Sequence, residues 1–325
     1  MIGRPADLRA LGGPVVAIVN PRASRLRAAD DRARILAQVD AWARATTGRP
    51  PTVVTVQDGP SMDVAGLDAV RAGAGLVVAV GGDGTVAALT AGLADSGIPL
   101  AIVPAGTGNV LAGALGIPDD PLRALRAFAD PARRSIDLGE AILDDLGRAG
   151  SARRIFSVAA GVGWEARVMD ATARHHKRRL GRLAYWVAGL GLLGELTPVP
   201  YAIEIDGERL DLEATVALVA NCGDLVPGLV RPRLAILPDD GLLDLLVLRV
   251  GSLRGGIRGF LDLLGRTELG GSPSGDAFRA RASRIRIRAR PDQPRQVDGD
   301  GCGPGPLDVI VRPAALDVLV PRRHP

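Results

Sequence analysis

Two short glycine-rich stretches each follow directly on an apolar run: Gly81-Gly82-Asp83-Gly84-Thr85 after LVVAV (76–80), and Ala105-Gly106-Thr107-Gly108-Asn109 after LAIVP (100–104). Glycine lets backbone N–H groups come close to an anion, and the start of a following helix adds a positive dipole. Two such loops side by side can cradle several phosphates. Asp83 is out of place there unless a divalent cation, or a hydroxyl awaiting deprotonation, shares the site. The chain has no G-x-x-x-x-G-K-[ST] segment, and Lys177 is its only lysine. A nucleotide therefore has to be held by backbone amides, arginines and a metal rather than by a P-loop lysine. Strand-to-helix turns also use Gly, Asp and Thr simply as turn and cap residues. A pair of these loops at consecutive strand ends favours the phosphate reading.

Further acids lie downstream. VDGDG (297–301) offers Asp298 and Asp300 as bases for such a hydroxyl, although Asp-Gly is also a common hairpin turn. PDDG (238–241) reads equally as a turn or as a cation site at Asp240. The stretch RHHKRRLGRLAYWVAGLGLLGEL (174–196) joins a basic cluster to an apolar helix containing Tyr185 and Trp186. It suits an anionic membrane surface, or equally a core helix with a solvated basic entry. His175 and His176 are adjacent and would diverge on a helix, so they read as surface residues, not metal ligands. RASRIRIRAR (281–290) puts Arg284, Arg286, Arg288 and Arg290 on one strand face, with Ile285, Ile287 and Ala289 on the other. That is the wet side of a sheet, with headgroup contact as the alternative.

The elements around these residues change character along the chain. VVAIVN (15–20), TVVTVQ (52–57), LVVAV and LAIVP alternate with helical patterns: one through Ile35, Val39 and Trp42, one around 62–73, and others to about residue 130. Short all-apolar runs between helices predict a parallel sheet covered on both faces, with ligands at the carboxyl ends of its strands. Beyond about residue 132 strand patterns dominate, at 135–143, 154–160, 201–206, 212–220, 233–237, 243–249, 283–289, 295–298, 307–312 and 316–320. Residues 163–196 interrupt them with helix-like sequence. Strands without a βαβ rhythm predict a second, mainly antiparallel domain. The fold class is thus α/β plus β: an N-terminal α/β domain with a mainly parallel sheet and a C-terminal β-rich, antiparallel, sandwich-like domain.

Composition narrows the field. The 325 residues are 47% hydrophobic, ample for real cores. No apolar run reaches the roughly 20 residues that span a bilayer, and the N-terminal residues lack a signal-peptide core. Cys222 and Cys302 make neither a disulfide framework nor a metal pattern. A cytoplasmic setting is expected. Aromatic residues are 3% of the chain despite a net charge of +4, too few for base-stacking platforms, so nucleic acid is not an expected partner.

GGDGT (81–85), PAGTGN (104–109) and VNPRAS (19–24) resemble the nucleotide site of the diacylglycerol kinase catalytic-domain family, which includes bacterial soluble lipid kinases and the sphingosine and ceramide kinases. The resemblance runs from about residue 15 to 321. RLGRLAYWVAGL (179–190) is similar to the family's substrate-domain helix, LAILPDDGLLDLLVL (234–248) to its D-D-G-x-x-D segment, and RQVDGDG (295–301) to its late V-D-G-E motif. The resemblance implies nucleotide contacts at Asn20, Pro21, Arg22, Ala23, Ser24, Thr55, Gly81, Gly82, Asp83, Gly84, Thr85, Gly106, Thr107 and Asn109. It implies a magnesium site from the Asp240 carboxylate with the Leu237 and Leu242 carbonyls, and a proton acceptor at Asp300 with Asp298 beside it. It also implies a nucleotide-binding domain over 1–132, to which 306–325 returns, and a lipid-substrate domain over 133–305.

The chain departs from that pattern in places. Val86, Ala87 and Ala88 follow Thr85 where the family continues x-N-E. Val110 stands where many bacterial members have an Asp that belongs to a carboxylate network at the metal. Asp300 is one methylene shorter than Glu. The reading that accommodates all of this is an ATP-dependent kinase passing the γ-phosphate to a lipid hydroxyl, of diacylglycerol or a related lipid, with Mg2+ required. Its expected partner is a lipid at a membrane surface, reached peripherally at the inner face; a homodimer stays open. Two alternatives stand beside it. An NAD-kinase-like enzyme would share G-G-D-G, but the V-D-G-D motif, the 179–190 helix and the missing Asn and Glu after Thr85 speak against it. A non-catalytic nucleotide- or lipid-binding protein draws support from Ala87, Ala88 and Val110, whereas Asp83, Asp298 and Asp300 count against it.

Overall fold

In the computed structural model, which describes residues 3–57, 59–144, 152–163, 197–223, 236–249 and 276–322, the first third of the chain alternates strand and helix. Its elements are β1 (Arg4–Pro5), β2 (Val15–Val19), α1 (Ala29–Thr47), β3 (Thr52–Thr55), α2 (Gly59–Arg71), β4 (Leu76–Gly81), α3 (Asp83–Leu93), β5 (Leu100–Pro104), α4 (Val110–Ala114) and α5 (Pro121–Ala127). Strands β2, β4 and β5 are buried over their whole lengths, as expected of parallel strands covered on both faces. They pair in parallel in the order β3-β2-β4-β5. Each fully buried Val or Leu contributes roughly 1.5–3 kcal/mol, and Leu76, Val77, Val78 and Val80 of β4 alone are 0% exposed. Helix α1 turns Ile35, Val39 and Trp42 inward, and the Trp42 Nε1–H donates to the Phe128 carbonyl at 3.0 Å. It stops at Gly48, whose φ of 75° lets its N–H close on the Arg44 carbonyl.

The remaining strands are β6 (Pro131–Leu143), β7 (Ala152–Phe156), β8 (Ala159–Gly163), β9 (Val199–Ile205), β10 (Glu208–Ala214), β11 (Val216–Ala220), β12 (Leu243–Leu248), β13 (Ala277–Ala282), β14 (Arg284–Ala289), β15 (Pro294–Val297), β16 (Asp300–Pro304) and β17 (Leu307–Pro321). The chain divides into two units, Met1–Asp137 with Ala314–Pro325 and Leu138–Pro313. Strands β6 and β17 each run from one unit into the other. The first unit carries the parallel sheet, to which the far end of β17 adds beside β5, Val318 opposite Leu100.

The second unit is antiparallel. One set of strands runs β10-β9-β14-β17 and the other β13-β12-β11-β8-β15-β16. Phe156, Tyr201, Ile203, Ile285, Ile287 and Val309 share one buried cluster with Val162, Val219, Leu245 and Val247, so both sets give their apolar faces to a single core. On β14 the alternation is as anticipated, with Ile285, Ile287 and Ala289 buried. Arg284 and Arg286 are not free for a headgroup: both pair with Asp308, at 2.7 and 3.0 Å, and Arg286 also meets Glu204 at 3.1 Å.

Several expectations give way here. The single strand expected over 212–220 is two, because the chain changes sheets at Thr215, whose N–H bonds to the Leu248 carbonyl at 2.9 Å. The strands expected at 307–312 and 316–320 are one, kinked at Ala314 (φ 49°), where Asp137 accepts the freed N–H at 2.7 Å. Strand β13 was hidden by a buried arginine, Arg279, and β16 by its glycines. Residues 236–237 are not in a strand. The basic and apolar stretch 174–196, with His175, His176 and Lys177, lies outside the described residues.

Candidate functional site

The two glycine loops are built against each other. Gly81 closes β4, and its carbonyl accepts the Ala105 N–H at 2.7 Å, which sets the loops side by side at consecutive strand ends. A Cβ on Gly81 would lie 2.4 Å from Thr85 Oγ1, and one on Gly106 would lie 2.5 Å from the Gly82 Cα. Gly81 is needed because the Thr85 side chain lies against it, and Gly106 because its backbone lies against that of Gly82, before any ligand is considered.

Asp83 joins the loops. Its Oδ2 accepts the Asn109 N–H at 2.8 Å and its Oδ1 accepts the Val110 N–H at 2.6 Å, so the first-turn acid of α3 caps the N-terminus of α4. Gly108 lies directly over this carboxylate: a Cβ there would be 2.0 Å from Asp83 Oδ2. The sequence reading gave Asp83 a cation or a hydroxyl; the structure gives it the second loop, a positioning role. The contact at Val110 is made by its backbone N–H and does not depend on its side chain.

A third segment completes the arrangement. Asn20 Nδ2 donates to Thr85 Oγ1 at 3.1 Å, its backbone N–H bonds to Val80, and its Oδ1 accepts the Arg22 N–H at 3.0 Å. Ser24 Oγ and the Arg25 N–H both donate to the Ala105 carbonyl, at 3.1 and 3.0 Å. Segments 20–25, 81–85 and 105–110 are therefore one hydrogen-bonded cluster at the carboxyl ends of β2, β4 and β5, with Arg22, Gly84 and Thr107 exposed on it. Thr55 stands apart on the edge strand β3, exposed and in register with Val19. Asn109 sits in the left-handed region (φ 51°), buried, its amide closing on both the N–H and the carbonyl of Gly106 and on Asp119 at 2.5 Å. Asp119 in turn meets Arg25 at 3.6 Å. Neither Arg25 nor Asp119 was singled out from sequence; no local pattern links positions so far apart.

The expected acids of the second unit divide by role. Asp298 and Gly299 both have positive φ, 44° and 90°, between Val297 and Asp300 paired across β15 and β16. VDGDG is thus a two-residue hairpin turn of the Asp-Gly kind. The Asp298 carboxylate faces inward and accepts the N–H groups of Ser157, Val158 and Ala159 at 2.8, 2.9 and 3.0 Å and the Ser157 hydroxyl at 3.2 Å. Burial pushes its pKa up, against the opposing pull of these donors. Asp298 is therefore the clamp of the 157–159 turn rather than a base. Asn221, buried, bonds the Ser157 carbonyl from the other side at 3.1 Å. Asp300 begins β16 with its side chain exposed.

The expected metal donors are a poorer match. Leu237 is 47% exposed. Asp240 Oδ1 accepts the Leu242 N–H at 3.2 Å across a turn made possible by Gly241 (φ 76°), and Oδ2 pairs with Arg281. Among the described residues no group of three or more His, Cys, Asp or Glu side chains could hold a metal ion. A carboxylate already neutralised by a guanidinium does not fit a Mg2+ ligand, so the Asp240 assignment is not retained.

With this geometry in hand, comparison with known proteins is informative. Residues 14–141 match the diacylglycerol kinase catalytic domain, and residues 157–320 match the YegS C-terminal NAD kinase beta sandwich-like domain. A diacylglycerol kinase of Mycobacterium tuberculosis is 32% identical over 280 residues, 83% of this chain and 85% of that one. An uncharacterised protein of Synechocystis is 30% identical over 77% of this chain, which spans only 55% of that relative's length. The crystal structure of a diacylglycerol kinase from Bacillus anthracis superposes with a TM-score of 0.68 at 22% identity, over 94% of this chain and 96% of the other, a likeness of fold.

Proposed function

The chain belongs to the diacylglycerol kinase catalytic-domain family, and from that membership we propose that it is an ATP-dependent lipid kinase acting on the hydroxyl of diacylglycerol or a closely related lipid. The observation that carries the reading is the pairing of the two glycine loops through Asp83, which holds backbone N–H groups and the start of α3 together at the strand ends. A triphosphate is the ligand such a cluster suits, with Arg22 and the Thr107 hydroxyl on its exposed side. Mg2+, if bound with the triphosphate, would supply neutralisation of its negative charge; no described side chain is assigned to hold it.

Phosphoryl transfer needs aligned phosphates, charge neutralisation and a proton acceptor. In the proposed reaction the lipid hydroxyl oxygen bonds to the γ-phosphorus and the bond from that phosphorus to the ADP oxygen breaks. ADP departs, and the hydroxyl proton passes to Asp300. Asp300 is favoured over Asp298 because Asp298 already accepts four hydrogen bonds from 157–159. Membrane contact, if the substrate is taken from a bilayer, is proposed to be peripheral; separately, no helix among the described residues is long and apolar enough to cross one.

The test is transfer of labelled γ-phosphate from ATP with Mg2+ to a bacterial lipid extract in detergent micelles. A labelled lipid, lost in Asp300→Asn while ATP still binds, is the expected result. ATP binding with no labelled lipid under any extract would overturn the kinase reading and leave a nucleotide-binding protein, the reading that Ala87, Ala88 and Val110 support.

A further inference from the structure

The turn at 238–241 is where the family resemblance puts a divalent cation, and a different cation is built into it. Strand β13 pairs with β12 so that Arg281 lies directly opposite Asp244, with Ala282 opposite Leu243. This register carries the Arg281 guanidinium onto the Asp240 carboxylate, although 41 positions separate the two residues. The same guanidinium reaches Asp244 at 3.7 Å. Asp244 is 1% exposed and takes two further bonds from Arg279, at 2.8 and 2.5 Å. Asp240 and Asp244 are thus met by two guanidiniums, and the Asp240 carboxylate is left without the uncompensated charge that would draw a small, strongly hydrated ion out of water. Unlike a bound ion, an arginine is covalently present and charged at every accessible pH.

We propose that Arg281 replaces the divalent cation at this turn, so that the order of the 237–242 segment is independent of free metal and the Asp240 site is created only when Arg281 is removed. The proposal does not depend on the kinase reading; it would hold equally for a binding protein with this sequence.

The experiment uses the full, nucleotide-free chain with Mn2+ as a paramagnetic probe, counting bound ions by electron paramagnetic resonance. Melting temperatures are measured in parallel in Mg2+ and in chelator. The wild-type chain is expected to hold no Mn2+ that Asp240→Asn removes, and to melt at the same temperature in both buffers. Arg281→Ala is expected to gain one Mn2+ site that a second change, Asp240→Asn, abolishes. At a hundredfold excess of Mg2+ over its dissociation constant, its melting temperature rises by roughly 4 °C. Arg281→Gln serves if the alanine variant does not fold. Two results would overturn the proposal: an Asp240-dependent ion in the wild-type chain, or no gain of an ion in either Arg281 variant.

Discussion

Replacing Gly108 by alanine should weaken ligand binding at the proposed nucleotide site while leaving the protein folded. The new methyl would lie 2.0 Å from Asp83 Oδ2, where contacts under 3.0 Å force something to move. The neighbour is a carboxylate held at both oxygens, by Asn109 and Val110, so moving it sacrifices two charge-assisted hydrogen bonds. Each such bond is worth about 1.5–3 kcal/mol, and water can replace part of that at this half-exposed position, leaving a net loss of about 2–3 kcal/mol. Because the damage is confined to the seam between the loops, it should appear in ligand binding: about 30- to 160-fold weaker affinity for ATP by titration calorimetry. Gly113→Ala is the control, since a Cβ there meets nothing within 4 Å, and a helical alanine should be neutral or slightly stabilising. Wild-type ATP affinity in Gly108→Ala, or an equal loss in Gly113→Ala, would refute the claim that the Asp83 seam shapes the site.

Asp298→Ala should lower unfolding free energy by about 2–4 kcal/mol in urea titrations, because three backbone N–H groups lose their acceptor, whereas Asp300→Asn should not. Arg279→Met should cost about 3–5 kcal/mol by stranding the buried Asp244, and pairing it with Asp244→Leu should restore most of the loss; equal stabilities of the single and double variants would contradict this. Burial alone would raise the Asp317 pKa, but its bonds to Arg133 and Ser135 outweigh that and the net shift is downward. A depressed carboxylate pKa contributes stability that is complete above the unfolded value, about 3.9, and is lost as pH falls through the folded value. Asp317→Asn should therefore flatten the fall in stability below about pH 4, measured by denaturant titration at stepped pH.

What the sequence made legible was local. Strands β2, β4 and β5 announce themselves because burial on both faces demands unbroken apolar runs, and the loops after β4 and β5 because two glycine clusters stand at consecutive strand ends. The VDGDG segment was legible twice over, as a turn and as a pair of acids, and the structure divides those roles between Asp298 and Asp300. What stayed hidden depends on partners far along the chain. Asp83 reads as a ligand for a cation until Asn109 and Val110 come beneath it, 26 and 27 positions later. Strand β13 turns Phe278, Ala280 and Ala282 to the shared core and buries Arg279 on its other face, opposite Leu246, where only the ion pair with the buried Asp244, two residues along β12, makes that acceptable. The sheet change at Thr215 coincides with a shift from the alternating ERLDLEA to the unbroken apolar VALVA, which also reads as one continuing strand because no turn residue separates them.

The return of β17 to the first unit has a bearing on how the protein is made. The segment that covers the flank of β5 belongs to residues 314–321, after all of the second unit in the order of synthesis. Until the ribosome has delivered those residues, LAIVP is an unpaired, wholly apolar edge, the kind of strand that recruits other chains. A nascent chain therefore cannot complete its parallel-sheet unit first and its β-rich unit afterwards. An isolated fragment ending at residue 137 should be aggregation-prone for the same reason, and adding residues 314–322 as a separate peptide should rescue its solubility.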